Sequence, residues 1–566
     1  MATATEGFVP ADLDGAQIEN VQPLIDELIN RDVDQPEALE TFVLDRSELD
    51  SATSEAHVDL YVSMSRHTDD EAAKKAYLQF VEHTEPKLKK AAFELDNKVA
   101  ASAAVNELDK ERYDVLLEGI RSDVEIFCEK NIPLFTEDTK LGQEYGEIRG
   151  AMSVHFDGEE RTLPQMARYF EDTDRSIRER AWLSVAERRD QDRDRIDDIF
   201  DRMVQIRHQI GVNAGLGDYR SYMFRAMHRF SYTPKDCVVF HDAVEATCIP
   251  VLRQLDEQRK AQLNVSELRP WDLDVDTHGR EPLRPFRDAD DLIERSSRLF
   301  HRMDPQLGTL FDSLRSGDCL DLDSRMNKQP GGYQVFRERQ RVPFIFMNAA
   351  GLHRDVETMV HEAGHAFHSL LSRDEPLIAY RNPPIEFAEV ASMTMELTSF
   401  PYLDEFYTEE EVGRAQRRQL QDLAKMLPWI ATIDAFQHWI YETPTHSRQE
   451  REEAWLNLEE RFGSSLDWSG LEHFRRCAWH RQLHPFQVPF YYIEYGIAQL
   501  GALQLWLQFR EDPERALRNY AKALSLGGSR PLPELFETAG LEFRFDTPMM
   551  GKLMDTVADV LTELPE

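Results

Sequence analysis

The sequence predicts a mainly α-helical protein, and three observations carry that reading. Apolar residues recur at i, i+3, i+4 and i+7 over long stretches, as in 72–104 and 176–210. Continuous β-type alternation is scarce. Proline and glycine fall mainly between the periodic stretches, where they punctuate helices. With 566 residues, 41% of them hydrophobic, the chain has material for several domains or two large lobes.

Taken in order, residues 1–30 are polar and acidic and read as a loosely held leader. Residues 31–200 read as an N-terminal helical lobe, and 201–566 hold the motifs. Gly211, Gly215 and Gly217, followed by Tyr219, Tyr222 and Phe224, end a long helix and suggest a lobe junction. Pro330-Gly331-Gly332-Tyr333, then the apolar run 341–348, read as a small β element: a hairpin or an edge strand. Pro343 has no N–H to donate to a ladder, which argues against a central position.

Composition excludes several classes. Lys+Arg total 66 against 104 Asp+Glu, a formal net charge of −38. Such a chain repels a phosphate backbone, so no nucleic-acid partner is expected. No apolar run approaches the roughly 18 residues of a membrane span, so no membrane partner is expected either. Cys128, Cys237, Cys248, Cys319 and Cys477 are scattered and form no CxxC pair, which suits free thiols in a reducing compartment. The N-terminus has no basic and apolar signal-peptide pattern, so the expected location is the cytoplasm. The excess of acid, with Arg far commoner than Lys, fits either a surface adapted to high salt or an ordinary acidic enzyme.

The chemistry centres on His361-Glu362-Ala363-Gly364-His365. On a helix the two histidines sit one turn apart on one face and can share a metal ion. Glu362, beside the first, is placed to reach a metal-bound water. Asp355 is a plausible N-cap, and Val356, Met359, Val360, Ala363, Ala366 and Phe367 make the helix largely apolar. Chance supplies roughly 0.06 such pentapeptides in a chain of this composition, so a third ligand is needed to strengthen the case. The segment 385–396, entered after Pro383-Pro384, reads as another helix. It can offer Glu389 as third ligand and Glu396 to orient an imidazole, with Glu386 the rival to Glu389. In so acidic a chain each of these is otherwise a solvated surface acid. His368 is better read as packing or supporting the ligands than as one of them. Further on, His484 and the aromatic run from Phe490 to Tyr495 contain donors suited to an oxyanion, although aromatic stripes are usually core.

These three segments together resemble the M3 metallopeptidases, and most closely the oligoendopeptidase F group. Lys328, Gly331–Tyr333 and 343–348 look similar too. The similarity covers roughly 110–560 and is weaker in its first half. The resemblance implies a two-lobed helical fold with a deep substrate channel and a small β element near the zinc helix. It implies one zinc ion on His361, His365 and Glu389, with Glu362 as general base and acid. It implies that His484, Tyr492 and either Tyr495 or Tyr491 contact substrate and oxyanion, with Gly331–Tyr333 along the peptide. The expected activity is endopeptidase cleavage of short peptides. The rivals are a zinc carboxypeptidase or dipeptidyl carboxypeptidase, anchored by Arg341, Arg354 or Arg381, and a zinc-dependent peptide binder without turnover. The acid at Glu362 has no purpose in a pure binder.

Overall fold

The structure is a computed structural model, and it describes residues 7–325, 327–329 and 331–565. Pro330, part of the expected turn, lies outside them. The protein is mainly α, as its periodicity predicts, with two small sheets among the described residues. It divides into two compact units, each assembled from three stretches of chain. The first comprises 1–125, 284–412 and 498–543; the second comprises 126–283, 413–497 and 544–566.

In the first unit, Ile18–Asn30 forms a helix within the stretch read as a leader. It buries Ile18, Val21, Ile25 and Leu28 in a core shared with Leu39, Phe42, Leu95 and Tyr380. The periodic stretch 72–104 is helical as two helices, Glu71–Gln79 and Glu85–Ala101, joined by a π turn at Phe80–Thr84. The expected β element is a three-stranded sheet. Tyr333–Arg337 pairs antiparallel with Val342–Ala349, which pairs on its other side in parallel with Leu320–Asp323.

The apolar strand is therefore central, and Pro343 sits in it, against the sequence expectation. The register gives the reason. Ile345 donates its N–H to Cys319 O at 2.8 Å, on the side of the parallel strand. Alternate residues face the same side, so the donor missing at Pro343 also points that way. The parallel strand begins to pair only at Leu320 with Ile345, so no ladder bond is lost. Lys328 ties this sheet together by donating Nζ to Asp321 Oδ1, Asp323 O and Met347 O.

In the second unit, 176–210 falls in two helices, Arg175–Asp190 and Arg193–Asn213. The glycines that end the latter lie inside this unit and not at a junction between units. Gly211 is required there by contact: a Cβ would stand 2.4 Å from the Asp218 backbone. Gly215 and Gly217 turn the chain through φ of 77° and 81°. The helix Pro234–Gln262 packs against Thr547–Glu563. Among the described residues no helix is long and apolar enough to cross a membrane.

Candidate metal centre

The pentapeptide lies on the helix His353–Leu371, which packs on the central strand and on the helix Ile385–Thr398. The helix starts two residues before the expected cap. Asp355 lies inside the first turn, where its Oδ2 accepts the N–H groups of Ala350 and Leu352 at 2.7 and 2.9 Å. The apolar face is buried as expected, with Met359, Ala363, Ala366 and Phe367 fully enclosed.

The glycine of the pentapeptide sets the spacing of the two helices. A Cβ on Gly364 would stand 2.5 Å from Ser392 Cα and 2.6 Å from Ala391 O. Only a residue without a side chain lets the backbones come this close. That approach brings Glu389 to the histidine pair: Glu389 Oε2 is 3.4 Å from His361 Nε2 and 3.7 Å from His365 Nε2. One donor atom from each of the three lies within 4.8 Å of the others, and Glu386, the rival, is not in the group. Ser392 donates its Oγ–H to Glu389 Oε2 at 3.0 Å and holds the carboxylate in place. His361 Nδ1 is 2.6 Å from Glu396 Oε1, and His365 is hydrogen-bonded to the Ala388 backbone. Both imidazoles are thus fixed from behind with Nε2 forward. Two imidazoles and a carboxylate with this spacing are the donor set and geometry that zinc takes with three protein ligands.

The electrostatics of these side chains by themselves are polarised. Burial lowers the His361 pKa, but the hydrogen bond to Glu396 and the charge of Glu389 outweigh it and hold it at about 10. Burial pushes His365 well below its usual value, helped by His361 and His368. Glu362 is 7% exposed; burial, reinforced by Glu389 and Glu396, raises it to about 7. A carboxyl group that titrates near neutrality can both take and return a proton. His368 is buried without hydrogen-bond partners on either ring nitrogen, and burial lowers it to about 3. It lines a cavity of about 360 Å³ with His365, Gln334, Phe336, Arg381 and Val58. The wall from the helix Pro36–Arg66 was not legible in sequence, since that segment carries no motif.

His484, Tyr492 and Tyr495 belong to the second unit and cluster there. The His484 ring centroid is 4.6 Å from that of Tyr492 and 6.0 Å from that of Tyr495. Tyr491 joins them at 5.8 Å from His484. Gln482 contacts His484 Nδ1 at 2.5 Å, and burial lowers the His484 pKa to about 4. Burial raises Tyr492, which hydrogen-bonds with Trp429 and Gln482. The approach to this cluster is locked. Buried Arg207 donates to Pro485 O at 2.6 Å, and Phe486 stacks on Tyr145 with centroids 3.8 Å apart. Phe490 is held at φ 66°, a strained conformation fixed by Gln437 accepting its N–H and Arg229 donating to its carbonyl.

The model of peptidase family M3 matches residues 168–554, more than two thirds of the sequence. The chain belongs to peptidase family M3. The M3 chain is 27% identical to an oligoendopeptidase F homolog of Borreliella burgdorferi over 296 residues, 51% of this chain and 49% of that protein. It is 25% identical to the chromosomal oligoendopeptidase F of Lactococcus lactis subsp. cremoris over 149 residues, 26% and 24% of the two. The matched segment thus spans about half the length of the first curated relative and less of the second. The solved structure of PZ peptidase A with an inhibitor is similar to the M3 chain at TM-score 0.91 and 26% identity, over 97% of this chain and 98% of that one.

Proposed function

We propose that this chain is a zinc-dependent endopeptidase that hydrolyses short oligopeptides, with one catalytic zinc on His361, His365 and Glu389. The observation that carries the reading is the convergence of those three donors beside Glu362, a buried acid that titrates near 7. Zinc held there supplies a Lewis acid that polarises a carbonyl and makes a water acidic near neutral pH. Glu362 accepts the proton of the attacking water and returns it to the leaving amine nitrogen. Glu396 and the Ala388 backbone hold the imidazole ligands in orientation throughout. His484, Tyr492 and Tyr495 are assigned to the oxyanion and the substrate on the strength of the family resemblance. The catalytic chemistry is placed in 201–566, and the expected substrates, again from the resemblance, are extended peptides of roughly five to twenty residues.

Endopeptidase action is favoured over carboxypeptidase action because two of the three possible carboxylate anchors are already engaged. Arg381 is 3% exposed and donates to Glu338, Ser51 and the carbonyls of Glu375 and Pro376. Arg341 donates to the carbonyls of Arg373 and Glu375. The test is mass spectrometry of products from peptides graded by length, each with a free or an amidated C-terminus. Internal cleavage of amidated peptides supports the reading. Cleavage confined to free C-termini would establish the carboxypeptidase, and no cleavage of any peptide would leave the binder.

A further inference from the structure

We propose that the second unit holds another metal site, made by Cys237, Asp434 and His438 with His241 holding Asp434 in place, which takes a divalent transition metal such as zinc and ties two helices together. Cys237 and His241 stand one turn apart on the helix Pro234–Gln262, and Asp434 and His438 one turn apart on the helix Glu409–Glu442. All four side chains are buried, Asp434 completely. Ligand atoms of Cys237, Asp434 and His438 lie within 4.8 Å of one another. Among the described residues the only other such group is the His361, His365 and Glu389 triad.

One edge of the cluster matches an edge of that triad. His438 Nε2 is 3.4 Å from Asp434 Oδ2, the separation found between His361 Nε2 and Glu389 Oε2. Ligands about 2.1 Å from a tetrahedral metal stand about 3.4 Å apart. His241 Nε2 is 2.8 Å from the same Asp434 oxygen. His241 is not in the donor group, and this contact holds the Asp434 carboxylate in place from behind.

The polar balance points the same way. Asp434 Oδ1 is buried without a hydrogen-bond partner, and His438 Nε2 has only the long 3.4 Å contact to Asp434 Oδ2. Such atoms are costly unless something further engages them. A thiolate and a carboxylate neutralise a dication, and with the His438 imidazole the mixed sulfur, nitrogen and oxygen donors suit zinc rather than calcium or magnesium. Phe224, Phe490 and Phe462 stack edge-on to the two imidazoles and give the cluster an apolar shell. Arg220 Nη1 lies 3.3 Å from His438 Nδ1 and is also paired with Glu442. With metal on Nε2, His438 carries its proton on Nδ1, so that contact is given up and the Glu442 pair kept.

The test is metal analysis of the full-length protein, expressed in zinc- or cobalt-supplemented medium and desalted. Two equivalents per chain are expected, falling to one in Cys237→Ser and to one in His361→Ala. The cobalt protein should show a thiolate-to-cobalt charge-transfer band that His361→Ala keeps and Cys237→Ser loses, because the His361 centre contains no sulfur. Should Cys237→Ser fail to fold, the wild type and His361→Ala decide. A His361→Ala protein without metal overturns the proposal, and so does a fully cobalt-loaded wild type without the band. One equivalent that survives His361→Ala and disappears in Cys237→Ser would instead count against the catalytic centre and leave this site standing.

Discussion

Two residues of the His361 centre carry protons whose fate can be measured. Glu362 occupies a base's position and is not in the donor group, so Glu362→Gln should keep its zinc and lose turnover by at least the 10²–10⁴-fold that general acid–base assistance contributes. Near-normal turnover in a zinc-loaded variant would sink the mechanism. His361 predicts a proton release. With its pKa at about 10 in the side-chain cluster alone, it is protonated at pH 7 and must lose that proton to ligate. Glu362, at about 7, is half protonated there and sheds its share when a cation arrives. Metal affinity should therefore rise with pH through the neutral range, by about tenfold per unit for each proton released. Calorimetric titrations in buffers of different ionisation enthalpy read that number directly, and heats independent of the buffer would refute it.

At the scale of elements, the contact between the helices His353–Leu371 and Ile385–Thr398 decides whether the donors meet. Gly364→Ala forces a methyl group into the Ser392 backbone and should cost about 1–3 kcal/mol, the range for overpacking. It should also weaken metal binding, because the helix that moves carries Glu389. A thermal melt and a competition titration with a chelator check the two effects, and a variant of unchanged stability and affinity would show that the spacing is not set there. Much of this level was legible in the sequence. The 3.6-residue period located the helices, and the pairing of His361 with His365 and of Glu389 with Glu396 followed from helical spacing. What was not legible has physical causes. Pro343 argues against a central strand on sequence grounds alone, because sequence does not show where a neighbouring strand begins to pair. Asp355 has the residue type of a cap, while the helix starts at His353 and uses it from within the first turn. The choice between Glu386 and Glu389 depends on Gly364 facing Ser392, a contact between segments about thirty residues apart. The Cys237, His241, Asp434 and His438 cluster carries no CxxC signature, because it is two i, i+4 pairs on two helices far apart in the sequence.

For the whole molecule, both metal dependence and salt dependence follow from bulk properties. The His361 helix is anchored by buried Met359, Ala363, Ala366 and Phe367 in a large apolar core, so removal of the catalytic metal should abolish activity without loss of the helical circular dichroism signal. Collapse of that signal on mild chelation would contradict this. Salt acts through the net charge of −38. Exposed pairs such as Arg302 with Asp404 and Arg518 with Glu514 contribute roughly 0–1 kcal/mol each, and salt weakens them. Most excess carboxylates have no cation to pair with, and their mutual repulsion is long-ranged, so screening relieves more than it removes. As the Debye length falls from about 10 Å at 0.1 M to about 3 Å at 1 M, the thermal midpoint should rise. Basic peptides, drawn in by the field at low salt, should lose their advantage in kcat/KM over acidic ones across the same range. Melting curves and cleavage rates for a matched acidic and basic peptide pair, from low salt to multimolar potassium chloride, test both. A midpoint that falls steadily with salt would show that the ion pairs outweigh the repulsion and that the acidic surface is not a salt adaptation, while the chemistry assigned to His361, Glu362, His365 and Glu389 would be untouched.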